Sequence, residues 1–266
     1  MTVALALSLL TAAAVGSAAG YVGSLMVLRR MALVGDALSH VALPGLALGI
    51  LLGFSPTVGA FALVLIAAVL TWWVERSTGL PVEGIVGVLF VLALAIGVLL
   101  TPNPDLLEAL FGSLGAVDAW TTVATLVVAA AVVVTLRSIY RSVVLSVISP
   151  ELAASAGIRT GAVSLLYLVL VSTTVAVGIQ VSGTLLAGAL VIVPAVTAKL
   201  VGSNLRTYTV LSVGFGVVSA VGGTALASGS TLPPGPPVVV VGVVLFAAAL
   251  VYRWTRNWRT RPMPVT

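Results

Sequence analysis

The chain has 266 residues, 60% of them hydrophobic and only 7% charged, against roughly a quarter charged in an ordinary soluble domain; with a mean hydropathy of +1.26, most of its surface must face lipid. It has no cysteine, which excludes disulfides and thiolate metal sites, and a single histidine, His40, which excludes any one-chain site built from several imidazoles. The net charge of +5 comes from basic residues set between apolar runs, a pattern that reports membrane topology rather than nucleic-acid binding.

A bilayer core about 30 Å thick needs about 20 apolar residues per helical span, and lipid cannot satisfy open backbone groups, so long apolar runs must be helices. The runs predict spans near 3–28, 35–53, 57–74, 83–101, 118–136, 161–180, 182–200, 207–228 and 237–253. The first lacks a charged leading region and is longer than the roughly 7–15 residues of a signal-peptide core, so it reads as a retained span. The third follows Ser55-Pro56 and the last follows Pro233-Pro234-Gly235-Pro236-Pro237, places where proline fits a first helical turn. The expected fold is an all-α polytopic bundle of eight or nine spans forming a single transmembrane domain over residues 1–266.

With nine spans and the N-terminus outside, Arg29, Arg30, Arg76, Arg137, Arg141, Arg159, Lys199, Arg206, Arg253, Arg256, Arg259 and Arg261 all fall on one side, which the positive-inside rule makes cytoplasmic. Asp105, Glu108 and Asp118 fall on the other. The short second run leaves a second layout open, with eight full spans and a re-entrant element there. Trp72, Trp73, Trp254 and Trp258 lie at predicted interfaces, as aromatic belts do, and the tail Arg253–Arg261 reads as a basic anchor on anionic lipid. No phosphate-binding loop is present, so ATP-driven work would need another subunit.

Asp36 and His40 stand four residues apart inside or at the edge of an apolar run. On a helix that spacing puts both on one face, and ionisable groups in such a place are functional by default. Carboxylate oxygen with imidazole nitrogen suits a borderline divalent ion such as Zn²⁺, Mn²⁺ or Fe²⁺. One copy supplies two donors; two copies about a two-fold axis supply four, the usual coordination number of zinc. A plainer reading stays open: Asp36 caps the second helix, and His40 bonds a carbonyl of a neighbouring helix. Counting spans sets Asp36 near the cytoplasmic edge, shallower than a transport site should lie, unless Gly35, Pro44 and Gly45 permit a broken element at depth.

Other segments are weaker. Ser149 can cap a short helix, Pro150 fits its first turn and Gly157 can end it. Gly183, Ala187, Gly188 and Ala189 let helices approach closely, and Pro194 would kink its helix. Glu83 follows Pro81 at the start of the fourth span, where an acid offsets the helix dipole; a secondary gate is the alternative.

The run Gly35-Asp36-Ala37-Leu38-Ser39-His40-Val41-Ala42-Leu43-Pro44-Gly45 closely resembles the signature of the zinc/manganese/iron-type permeases of ABC importers. The stretch Val181 to Ala198, with its small residues and Pro194 before Thr197-Ala198, resembles that family's late helix. Ser149-Pro150-Glu151-Leu152-Ala153-Ala154-Ser155-Ala156-Gly157-Ile158 is similar to its cytoplasmic segment, with Ser149 where many relatives have an acid. The resemblance covers essentially the whole chain in order. It implies a permease in a prokaryotic cytoplasmic membrane, working as a homodimer with two ATPase subunits and an extracytoplasmic metal-binding protein. It implies that Asp36 and His40 meet the transported metal, with no cofactor held by the chain itself. It further implies that Pro150, Glu151, Leu152, Ala153, Ala154 and Gly157, within a segment near 149–158, couple to the ATPase, while Gly35, Pro44, Gly45 and Pro194 serve gating or helix kinks. Two other classes remain for comparison. An ion-coupled secondary carrier would use Asp36 and His40 as a relay but should hold further acids in its spans. A membrane metalloprotease would need a motif such as H-E-x-x-H, which one histidine cannot supply.

Overall fold

The computed structural model describes residues 3–100, 118–229 and 233–259. Among them the chain is all helix: α1 (Val3–Leu28), α2 (Val34–Leu52), α3 (Pro56–Thr78), α4 (Val82–Leu100), α5 (Ala119–Ile148), α6 (Pro150–Ser155), α7 (Thr160–Val201), α8 (Leu205–Ser228) and α9 (Gly235–Arg259). Eight segments are long and apolar enough to cross a bilayer, and Leu186–Val201 forms a shorter apolar helix. The expected Asp105 and Glu108 lie outside the described residues, as do the side chains of Trp258, Arg259 and Arg261.

Local chemistry sets the helix ends. The Asp118 carboxylate accepts from the Thr121 N–H at 3.0 Å and caps α5; hydrogen bonding from Thr121 holds this carboxyl below the usual range. Pro56 opens α3, and Gly53 and Gly79 end α2 and α3 in the left-handed conformation. Arg30 does the same job after α1 with φ 61°, where glycine would be usual. The expected cap of α2 by Asp36 is not formed: the helix starts after Leu33 with no side-chain cap, and Asp36 lies inside its first turn.

Two elements, α5 and α7, differ from the predicted spans. α5 continues to Ile148, so its 30 residues extend about 45 Å, well past a bilayer core; Arg137 and Arg141 do not stop it, and only Ser149-Pro150 does. The re-entrant alternative for the second run is corrected: α2 is one continuous helix, with Gly35, Pro44 and Gly45 inside it. The irregular element is in α7, where Gly183 has φ 73° and ψ 173°, a combination essentially reserved to glycine. Pro194 lies in a segment that stays helical. The break reverses the chain: a Cβ on Gly178 would lie 3.8 Å from that of Ala187, whereas nine residues of straight helix would separate them by about 13 Å.

That reversal gathers the basic residues at one end of the bundle. The Arg29 guanidinium reaches Ser164, Leu28 lines a cavity with Lys199 and Asn204, and Tyr140 meets Thr209 at 3.1 Å. α9 runs antiparallel to α8, with Gly223 against Val238 and Ser219 against Gly242, which brings Arg253 and Arg256 back to the same end.

Helix contacts are made by small residues, as expected where lipid gives no hydrophobic drive to pack helices together. Gly16 and Gly20 of α1 meet the backbones of Gly216 and Ser212 of α8, and the Ser212 hydroxyl donates to the Gly20 carbonyl at 2.6 Å. Gly45 of α2 and Gly59 of α3 touch in the same way.

Candidate metal-transfer site

α2 carries the site because it is the central helix, packed on α3, α4 and α7. His40 is buried, with 8% of its surface exposed, and Asp36 is half-buried. The two lie on one face, one turn apart, and the carboxylate acts electrostatically on the imidazole. The Phe90 ring of α4 meets the imidazole edge to face, with centroids 5.0 Å apart. The Nδ1 atom of His40 is buried and has no hydrogen-bond partner; a buried nitrogen in that condition carries an unmet desolvation cost of about 1–3 kcal/mol. Nδ1 thus does not make the expected bond to a neighbouring carbonyl.

Asp36 is held by α7. A Cβ on Gly188 would come within 2.7 Å of both Cβ and Oδ1 of Asp36, so only glycine lets α7 approach this carboxylate. Next to it, Gly35 faces the Met26 side chain and Val191, and the Ser39 hydroxyl donates to the Asp36 carbonyl at 2.6 Å. Gly188 lies thirteen residues before the end of α7 at Val201, about 20 Å of helix at 1.5 Å per residue. Asp36 is in the first turn of α2, which five residues separate from the end of α1 at Leu28.

The other singled-out residues are dispersed. Gly45 serves the α2–α3 contact, and the Pro44 ring lies 3.3 Å from where a Cβ on Gly97 of α4 would be. Glu83 is exposed in the first turn of α4, where an acid offsets the helix dipole. α6 is built as its residues suggest: Ser149 Oγ accepts from the Leu152 N–H at 3.2 Å, Pro150 stands in the first turn, and Gly157 takes φ 75° as the helix ends. Ala153 is buried, while Glu151, Leu152 and Ala154 are exposed. Sequence reasoning passed over Phe90 and Met26, since a lone aromatic or methionine in an apolar run looks like any other core residue. Among the described residues no three of His, Cys, Asp and Glu converge, so one copy brings two donors and no more.

With this geometry in view, comparison with known proteins is decisive. Residues 1–253 match the ABC 3 transport family. The chain belongs to that family. It is 32% identical over 246 residues to the manganese import system permease protein ScaB of Streptococcus parasanguinis, covering 90% of this chain and 87% of that protein. It is 30% identical to the high-affinity zinc uptake system membrane protein ZnuB of Haemophilus influenzae, covering 87% and 90%. The solved PsaBC from Streptococcus pneumoniae in complex with Fab superposes with a TM-score of 0.81 at 29% identity, over 94% of this chain and 92% of that one. This ABC 3 protein is a multi-pass membrane permease of the ATP-binding-cassette class, not an ion-coupled carrier. It is not the ATPase: its sole lysine, Lys199, precedes Leu200, so no Gly-Lys-Ser/Thr phosphate loop can be written in it.

Proposed function

We propose that two copies of this chain form the path by which a divalent transition metal ion, zinc, manganese or iron, enters the cytoplasm. The observation that carries the reading is His40: a buried imidazole with an unpartnered Nδ1, one turn from Asp36 on the central helix. The pair from each copy gives two oxygens and two nitrogens about a shared axis. That set suits a borderline ion and is completed only by the dimer, so its geometry can open when the copies move. A site assembled from two halves releases its cargo more readily than a closed cage within one chain. The names of the relatives, two metals between them, support a metal cargo without choosing which.

Energy comes from two ATPase subunits that dock at the basic end, cytoplasmic by the positive-inside rule, where α6 presents Leu152 at 60% exposure. An exposed leucine beside Glu151 on a capped, rigid turn suits a groove in a soluble partner. The segment 149–158 is then the coupling element within a single permease domain. An extracytoplasmic metal-binding protein delivers the ion at the opposite face, where the N-terminus lies. Metal-free ATPase coupling and metal uptake are measured in vesicles holding both subunits, with Zn²⁺, Mn²⁺ and Fe²⁺ supplied in turn. Asp36→Ala and His40→Ala each lower uptake by about 100-fold or more, since even outer-shell losses at metal sites run to 10–100-fold. Wild-type uptake by both variants sinks the assignment.

A further inference from the structure

α7 begins at Thr160, four residues after the Ala156 cap of α6, and the joint is closed: the Gly157 and Ile158 N–H groups bond the Ala154 and Ala153 carbonyls at the end of α6, each at 3.0 Å. The first two turns of α7 then hold α1 and α3. Trp72 of α3 donates its indole N–H to the Gly161 carbonyl at 2.8 Å. Arg29, the residue after α1, donates from Nη2 to the Ser164 hydroxyl at 3.4 Å, and its guanidinium lies over the Tyr167 ring at 4.8 Å. Ser164 in turn donates to Glu75 Oε2 of α3 at 3.5 Å. Tyr167 is fully buried and donates to the Val22 carbonyl of α1 at 3.2 Å.

Arg29 is also seven residues from Asp36, across a tight turn that includes the left-handed Arg30 and the buried Met31. Its Nη1 is buried without a partner. A guanidinium with one nitrogen unmet, bridged to a carboxylate only through a hydroxyl, holds spare bonding capacity. Arginine and carboxylate frequently pair directly through two parallel bonds; here the link runs through the Ser164 hydroxyl.

We propose that Arg29 is a positioning residue for transport, tying the α6-proximal end of α7 to the α1–α2 turn, so that a displacement of α6 reaches the Asp36–His40 donors. The proposal rests on the reading of α6 as the ATPase contact. When α7 shifts, Ser164 and Tyr167 carry the Arg29 guanidinium with them, and the α1–α2 turn follows because Arg29 is joined to it covalently.

The test uses vesicles with the full transporter and the external binding protein, Mn²⁺ as the probe, and metal imported per ATP hydrolysed as the readout. Arg29→Met lowers that ratio by about threefold to thirtyfold, the span expected for residues that relay coupling, while hydrolysis continues. Arg29→Lys, which keeps the charge but not the planar face over Tyr167, recovers part of it. A wild-type ratio in Arg29→Met overturns the proposal, as does a loss of import matched by an equal loss of hydrolysis. If Arg29→Met does not fold, Ser164→Ala and Glu75→Gln take its place, and wild-type ratios in both overturn it. Co-purification of the ATPase with Leu152→Glu tests the α6 reading separately: retention there defeats the docking reading and with it the route from α6, whereas loss of the ATPase together with a wild-type ratio in Arg29→Met defeats the Arg29 proposal alone.

Discussion

α2 and α4 are both apolar helices of 19 residues, yet twelve residues of α2 are buried against five of α4. The less apolar of the two is the one inside. α2 carries Asp36, Ser39, His40 and Pro44; α4 carries Leu, Val, Ile and Ala with only Glu83 at its mouth. In a soluble protein the order would be reversed. In lipid, hydrocarbon belongs outside, and the polar residues sort to the interior where protein groups can meet them. Phe90 joins the two helices, turning one ring of the lipid-facing helix onto the imidazole of the central one.

Substitutions that should be costly on α2 and mild on α4 are the way to break this contrast. The largest effect is expected where α7 meets α2. Gly188→Val places a side chain on Asp36, so uptake falls to background while the protein still purifies as a folded bundle. Undiminished uptake would show that Asp36 does not need its place beside α7. Next come paired glycines. Gly45→Val must part the backbones of α2 and α3 and destabilises by about 1–3 kcal/mol or more, whereas Gly87→Ala on α4 meets nothing within 4 Å and gains up to about 1 kcal/mol of helix propensity. Thermal unfolding in detergent reads both, and equal shifts would erase the distinction between the helices. The smallest effect is Phe90→Leu. It removes an edge-to-face contact worth about 0.5–1.5 kcal/mol and weakens metal binding several-fold at most, measured by titration with the metal ion.

Most of the architecture was legible in the chain, because runs of apolar residues, proline starts and glycine ends act locally. Ser149, Pro150 and Gly157 defined α6 before any coordinates, since capping is a property of a few neighbouring residues. The reversal in α7 was legible as a division near residue 181, because 42 apolar residues exceed one crossing. Its agent was not: proline is the conspicuous residue there, yet Pro194 is absorbed, and Gly183 makes the turn through a backbone state that composition does not reveal. That Asp36 and His40 share one helix face was legible from spacing. The setting of Asp36 against Gly188 was not, since it depends on how α2 meets α7, which is remote in sequence. Nor was the isolation of His40 Nδ1, a fact about what every neighbour fails to offer.

The contact of α1 with α8 carries a consequence for motion. Gly16, Gly20, Ser212 and Gly216 bring main chain against main chain, leaving no cushion of side chains to shear or re-rotamerise between the two helices. They form a keel that turns only as one piece. Any movement within the bundle then falls to the elements that ride beside this keel, and two of them are on short leashes: α7, joined to α8 by the three residues from Gly202 to Asn204, and α2, joined to α1 by the five from Arg29 to Leu33.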